Sequence, residues 1–222
     1  MNIFADKASL VLRHLLRYPE KPWVISEIVE SLGLSQGLVA KVILELRQQG
    51  FLKGEARGPK ASSKLRHAEE LLDQWTKQYQ FNKNHTMAFY SSDKNILKIL
   101  KNTLSPSKSV SYALTLHTGA NFMTHYVRDQ NVYAYLPAEN FDNQVEELRK
   151  QLNLLELKQG GNVFFIKPWY RNSIFYNAQK IKGYSVVSNL QLYLDLFNYP
   201  DRGNEQALQL KRVLKEKGVP LA

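Results

Sequence analysis

Two apolar stripes of helical period, separated by a short turn, constrain this chain more than any other feature of its sequence. Ile25, Ile28, Val29 and Leu32 fall at i, i+3, i+4 and i+7, and after Gly33-Leu34-Ser35 the spacing returns at Val39, Val42, Ile43 and Leu46. Residues so spaced share one face of an α-helix, and each face must be buried against a neighbour. Gly33 suits the left-handed conformation that stops one helix, and Ser35 can accept a backbone N–H at the start of the next. The arrangement has the spacing of a helix-turn-helix.

The flanking segments extend this unit. From Asp6 to Tyr18, apolar Ala8, Val11, Leu12, Leu15 and Leu16 trace another helical face, closed by Pro19 and Pro22. After the helix that ends at Gln49-Gly50, Phe51-Leu52-Lys53 reads as a short strand leading into the loop Gly54 to Ser63, which fits a small antiparallel ribbon, or wing. A connecting helix is expected from about Ser63 to Tyr79, with Leu65, Ala68, Leu72 and Trp75 on one stripe. A polar segment, Phe81-Asn82-Lys83-Asn84, then marks a boundary between a winged helix-turn-helix domain at residues 1–80 and a second domain at 81–222.

The second domain alternates strand-like and helix-like segments. Strands are expected at Met87–Tyr90, Asn131–Leu136, Leu154–Leu157, Asn162–Lys167 and Tyr184–Ser188. Helices are expected near Asp93–Leu104, Asp142–Leu152, Leu190–Phe197 and Gly203–Lys217, with an apolar and small-residue run from Tyr112 to Phe122. The whole chain therefore reads as α+β, a winged helix-turn-helix followed by a mixed domain. Tyr133, Phe164, Phe165 and Tyr193 are assigned to core and cross-strand packing.

Composition narrows the function. The 222 residues carry 44% hydrophobic and 23% charged side chains, ordinary for a globular protein and unlike a disordered or collagenous one. No apolar run approaches the roughly 18 residues of a membrane span, and Met1 to Arg13 carries Asp6 in place of a continuous signal-like apolar stretch, so a cytoplasmic protein without membrane partners is expected. The absence of cysteine removes disulfides, thiolate catalysis and cysteine-ligated metals. With 30 Lys and Arg against 20 Asp and Glu, a polyanion is the first partner to consider. The excess is spread along the chain: residues 1–80 hold 12 basic and 9 acidic side chains, and residues 81–222 hold 18 and 11.

These features point to double-stranded DNA. The helix after Ser35 would enter the major groove with Ser35, Gln36, Gly37, Ala40, Lys41 and Arg47, since Gln36 to Lys41 offer groups opposite the apolar stripe. Lys53, Arg57, Lys60, Lys64 and Arg66, faced by the single acid Glu55 and interleaved with small residues, would meet phosphates. A homodimer on DNA is compatible with this reading, and no cofactor is called for. Two alternatives stay open: an enzyme such as a metal-dependent nuclease or nucleotidyl transferase, using His117, His125 and Asp129 or Asp195, Asp201 and Glu205, and a stand-alone ligand-sensing regulator. Neither acidic nor histidine set has a ligand or triad spacing, and no GxxxxGK[ST] loop occurs.

Several segments of the second half carry a resemblance. Tyr112-Ala113-Leu114-Thr115 with Gly119-Ala120, Gly161-Asn162-Val163 leading to Pro168, Val186-Val187-Ser188, Gln191 to Leu196, and Arg202-Gly203-Asn204-Glu205-Gln206-Ala207 together look like the AbiEi-type antitoxins of type IV toxin–antitoxin systems. The likeness covers most of residues 109–212 and departs from the family pattern at Asn121 and in the wing. It implies a winged helix that represses its own operon and a second domain that counters a nucleotidyltransferase-like toxin. The residues alone account for the last motif as a helix capped by Ser188, buried through Leu190, Leu194 and Phe197 and ended near Pro200, with Asp195 as an anchor for Arg202.

Overall fold

A computed structural model describes residues 1–55, 58, 61–104 and 112–222. These form a mixed α+β structure in two compact units, Met1–Tyr79 with Pro220–Ala222, and Gln80–Val219.

The first unit opens with α1 (Asp6–Arg17), whose Ala8, Val11, Leu12 and Leu15 are buried as their spacing demands. Arg13 lies on the same helix and is also buried, its guanidinium 5.1 Å from the centre of the Trp75 ring, a contact that compensates a cation for lost water. Helix α2 (Ile25–Leu32) begins where the Glu27 carboxylate accepts the Val24 N–H at 3.1 Å and ends at Gly33 in the left-handed region at φ 63°. Helix α3 (Gln36–Gln48) starts at Ser35, whose hydroxyl accepts the Leu38 N–H at 3.4 Å, and buries Val39, Val42, Ile43 and Leu46. The chain then forms a two-stranded antiparallel ribbon from β1 (Leu52–Lys53) and β2 (Lys64–Leu65), in which Leu52 faces Leu65 and Lys53 faces Lys64. Trp23 extends the ribbon by exchanging two backbone hydrogen bonds with Ser63, at 2.7 and 2.8 Å.

Helix α4 (Ala68–Gln78) begins later than its apolar stripe suggests. Lys64 and Leu65 satisfy the ladder of β1, and the Arg66 N–H goes to the Phe51 carbonyl, so Leu65 reaches the core from a strand. Helical and extended placement both bury that leucine; the partner strand decides between them.

In the second unit, among the described residues, six strands form one sheet in the order β3-β6-β5-β4-β8-β7: β3 (His85–Phe89), β4 (Ala113–Leu114), β5 (Val132–Tyr135), β6 (Val163–Lys167), β7 (Gln179–Ile181) and β8 (Tyr184–Val186). The β5–β6 and β4–β8 pairs are parallel and the other three antiparallel. All four residues of β5 are buried, as suits a central strand covered on both faces. Tyr133 and Phe164 are register partners whose rings stack at 4.8 Å. The remaining elements are a 3-10 turn at Phe81–Lys83, α5 (Ile96–Thr103), α6 (Leu116–Ala120), α7 (Phe141–Gln151), α8 (Asn189–Phe197) and α9 (Gly203–Glu216).

Three segments differ from their sequence reading. Leu154–Leu157 is not a strand: Leu155 makes a single isolated bridge to Tyr90, and Leu155 and Leu157 remain exposed, so no core holds the segment in an extended ladder among the described residues. The run from Tyr112 to Phe122 divides into β4 and α6 at Leu116, which adopts φ +47°. Strand β7 carries no clear alternation; it exists because Lys182 and Gly183, at φ 51° and 81°, form a two-residue turn that folds it onto β8.

Two glycines of the second half sit where helices approach closely. A Cβ on Gly119 of α6 would stand 2.7 Å from Leu192 of α8, and one on Gly203 would stand 2.5 Å from the Leu196 carbonyl oxygen. Both motifs that carry them therefore hold α8 against its neighbours.

Candidate nucleic-acid interface

At about 3.6 residues per turn, Gln36, Gly37, Ala40, Lys41, Leu44 and Gln48 fan across the side of α3 opposite its buried stripe. Gln36, Gly37, Lys41 and Gln48 are exposed, and Ala40 is half-buried. Leu44, 56% exposed, is the residue that inspection of the sequence overlooks here. Its signal is positional: it lies four residues beyond Ala40 on the same polar side, where an apolar group has no core to join. Ser35 is occupied as the cap of the helix and presents only its outer surface.

The basic residues of the ribbon differ in availability. Lys53 and Arg66 are exposed, whereas Lys64, opposite Lys53, holds the Glu20 carboxylate at 2.6 Å. That ammonium keeps the Glu20 carboxyl below its usual range, first through the hydrogen bond and then through charge. Arg47, expected among the groove residues, instead turns its guanidinium to the ribbon loop. It donates to the carbonyls of Gly54, Glu55 and Ser62 at 2.6, 3.1 and 2.5 Å and to the Ser63 hydroxyl at 2.8 Å. A planar fork of donors suits such a cluster of carbonyls, and α3 is thereby tied to both ends of the loop. Arg57 and Lys60 lie outside the described residues.

The second unit carries a different chemistry, a buried polar network. The Asp195 carboxylate, without solvent exposure, accepts hydrogen bonds from the Thr115 hydroxyl at 2.5 Å, the Tyr135 hydroxyl at 3.1 Å and the Gln191 amide at 2.7 Å. Asn84 donates to the Tyr135 hydroxyl at 3.2 Å and accepts the Trp169 N–H at 2.7 Å. The carboxylate thus joins β4, β5 and α8, and Arg202, which the sequence paired with it, goes to Glu205 at 2.8 Å. The buried ring of His117 meets the Gln206 side-chain oxygen through Nδ1, and the Gln206 amide reaches Asn121 at 2.9 Å and Thr124 at 3.2 Å, so α6 and α9 share a second polar bridge.

The residues weighed for catalysis fall into separate settings. His117 is buried against Gln206 and the ring of Tyr199, while His125 and Asp129 line an open cleft. Asp195 is enclosed in its network, and Glu205 is on the surface with Arg202. Among the described residues, no group of three or more His, Asp or Glu is placed to hold a metal ion. No helix there is long and apolar enough to cross a membrane.

The model of a family described as "Transcriptional regulator, AbiEi antitoxin, Type IV TA system" matches residues 64–215, well over half of the chain. The match runs from the second strand of the ribbon into α9 and leaves α1, α2 and α3 outside. No curated protein and no solved structure matches.

Proposed function

The chain belongs to the AbiEi antitoxin family of type IV toxin–antitoxin systems, and on that premise we propose that it is a winged helix-turn-helix repressor of its own operon and the antagonist of a nucleotidyltransferase-like toxin. The observation that carries the DNA-binding part is the exposed face of α3 beside a basic ribbon, since a helix presenting amide, lysine and apolar groups away from its core has the shape and chemistry of a major-groove reader. Gln36 offers a paired donor and acceptor to an adenine edge, Lys41 a donor to a guanine edge or a phosphate, and Leu44 an apolar contact for a thymine methyl group. Ser35, Gly37 and Ala40 let the backbone approach the groove. Lys53 and Arg66 meet phosphates, with Arg57, Lys60 and, once released from Glu20, Lys64 extending that contact. Arg47 acts through the ribbon it holds.

Residues 1–80 and 81–222 act as the DNA-binding and antitoxin domains, in a cytoplasmic protein that binds duplex DNA as a homodimer with half-sites about 34 Å apart. The reading assigns the chain no catalytic step. Selection of sites from a random duplex library by the full chain tests it: a recurrent sequence with two related half-sites is expected. Enrichment of no sequence at physiological salt would overturn the assignment of α3 as a reader of bases.

A further inference from the structure

The second unit contains a cleft of about 860 Å³, a size typical of small-ligand sites. It is framed by the connection between β3 and α5, by α6 and the loop that follows, and by the β7–β8 turn. Its lining also carries two carboxylates, of which Asp93 accepts the Asn95 N–H at 2.7 Å and Asp129 the Asn131 N–H at 2.8 Å. The ammonium groups of Lys94 and Lys182, which line the same cleft from two sides, have no hydrogen-bond or ion-pair partner among the described residues. Lys182 is fixed by the left-handed turn, and Lys101 donates to its carbonyl at 3.1 Å, adding a third ammonium beside the rim. The wall also holds rings. Phe122 packs at 5.0 Å on Tyr184, which carries the Lys101 ammonium 4.6 Å from its centre, and the exposed Tyr90 also lines the cleft.

Cations with no partner among the described residues, flanking aromatic surface in a concave site, suit a ligand with an anionic group and a flat ring. We propose that this cleft binds a nucleoside phosphate, its phosphate between Lys94 and Lys182 and its base against Phe122 or Tyr90. Its residues belong to the second unit and those of the surface assigned to α3 to the first, so the assignment does not rest on the repressor reading. Free mononucleotide and the 5′-phosphorylated end of a single strand share this chemistry.

Calorimetric titration of the full chain with AMP, GMP, CMP and UMP, each beside its unphosphorylated nucleoside, and with 5′-phosphorylated and unphosphorylated tetranucleotides, tests the assignment. At least one phosphorylated ligand is expected to bind at or below roughly 1 mM and at least about tenfold tighter than its unphosphorylated form. A preference for the tetranucleotide identifies a strand end as the ligand, and a preference for the monomer identifies a free nucleotide; both satisfy the assignment. Lys94→Ala with Lys182→Asn should weaken that binding at least about tenfold. Asparagine suits the left-handed position before Gly183, so the turn persists, and unchanged thermal unfolding checks that it does. Phe122→Leu should weaken binding of the base without abolishing the response to phosphate. Absence of binding by every phosphorylated ligand, or binding indifferent to the lysine variants, overturns the proposal. Duplex binding measured on the same samples separates that failure from failure of the repressor reading.

Discussion

Asp195 is held by hydroxyl, phenol and amide donors, and removing the carboxylate takes a buried acceptor from each of them. Each orphaned buried donor costs about 1–3 kcal/mol, so Asp195→Ala should destabilise the protein by at least about 3 kcal/mol in urea unfolding, and Thr115→Val by less. A smaller loss for Asp195→Ala would mean that the network relaxes around the gap. Leu44 is the contrasting case. Being exposed, it should tolerate Leu44→Ala within about 0.5 kcal/mol of stability, while a selected operator loses affinity and random DNA does not; Gln36→Ala should behave in the same way. Equal losses on both DNAs would remove these residues from base reading. His14 adds a pH dependence, because burial first, then the charges of Lys21 and Arg17, hold its pKa below 6.5. The unfolded chain therefore takes up the proton more readily, and the stability of the first unit is complete above about pH 6.5 and falls as pH drops through that value toward the folded-state pKa. His14→Gln should flatten that part of the stability–pH curve.

Among the elements, the ribbon is where the proposed DNA contact is most directly tested. Lys53 is exposed, so Lys53→Ala should reduce the slope of log affinity against log salt by roughly one phosphate contact, about 0.9. Lys64→Ala should change it less, because its ammonium is held by the Glu20 carboxylate at 2.6 Å. Arg47→Ala should weaken binding to all duplexes through loss of loop position, and Arg47→Lys should fail to restore it, since one ammonium cannot span the carbonyls that the guanidinium joins. Full activity of Arg47→Lys would assign the residue to charge alone. The same region shows what an element owes to its own residues. Helices α1, α2 and α3 were legible from spacing, with Gly33 and Ser35 marking the turn, because a helix closes its hydrogen bonds within itself. Strands β2 and β7 were not legible, because two or three residues carry no period and exist as strands only through the partner that pairs with them.

At the scale of the molecule, the two units have separate cores, and the division of labour proposed for residues 1–80 and 81–222 has a direct test. The fragment 1–80 should bind the selected operator more weakly than the full chain, and a full chain disabled in duplex binding should still relieve toxicity when expressed with the toxin proposed as its partner. Rescue only by a DNA-binding-competent chain would make repression the whole of its function. The sequence by itself determined the helical faces, the turn between α2 and α3, the run of β5 and β6, and the segments by which the family is known, since each depends on spacing along one stretch of chain. Tertiary structure alone decided the strand order β3-β6-β5-β4-β8-β7, the enclosure of Asp195 by Thr115, Tyr135 and Gln191, the engagement of Arg47 with the ribbon and the cleft between Lys94 and Lys182. Those features join residues far apart in the chain, and local periodicity says which face of a segment is buried but not which distant segment buries it.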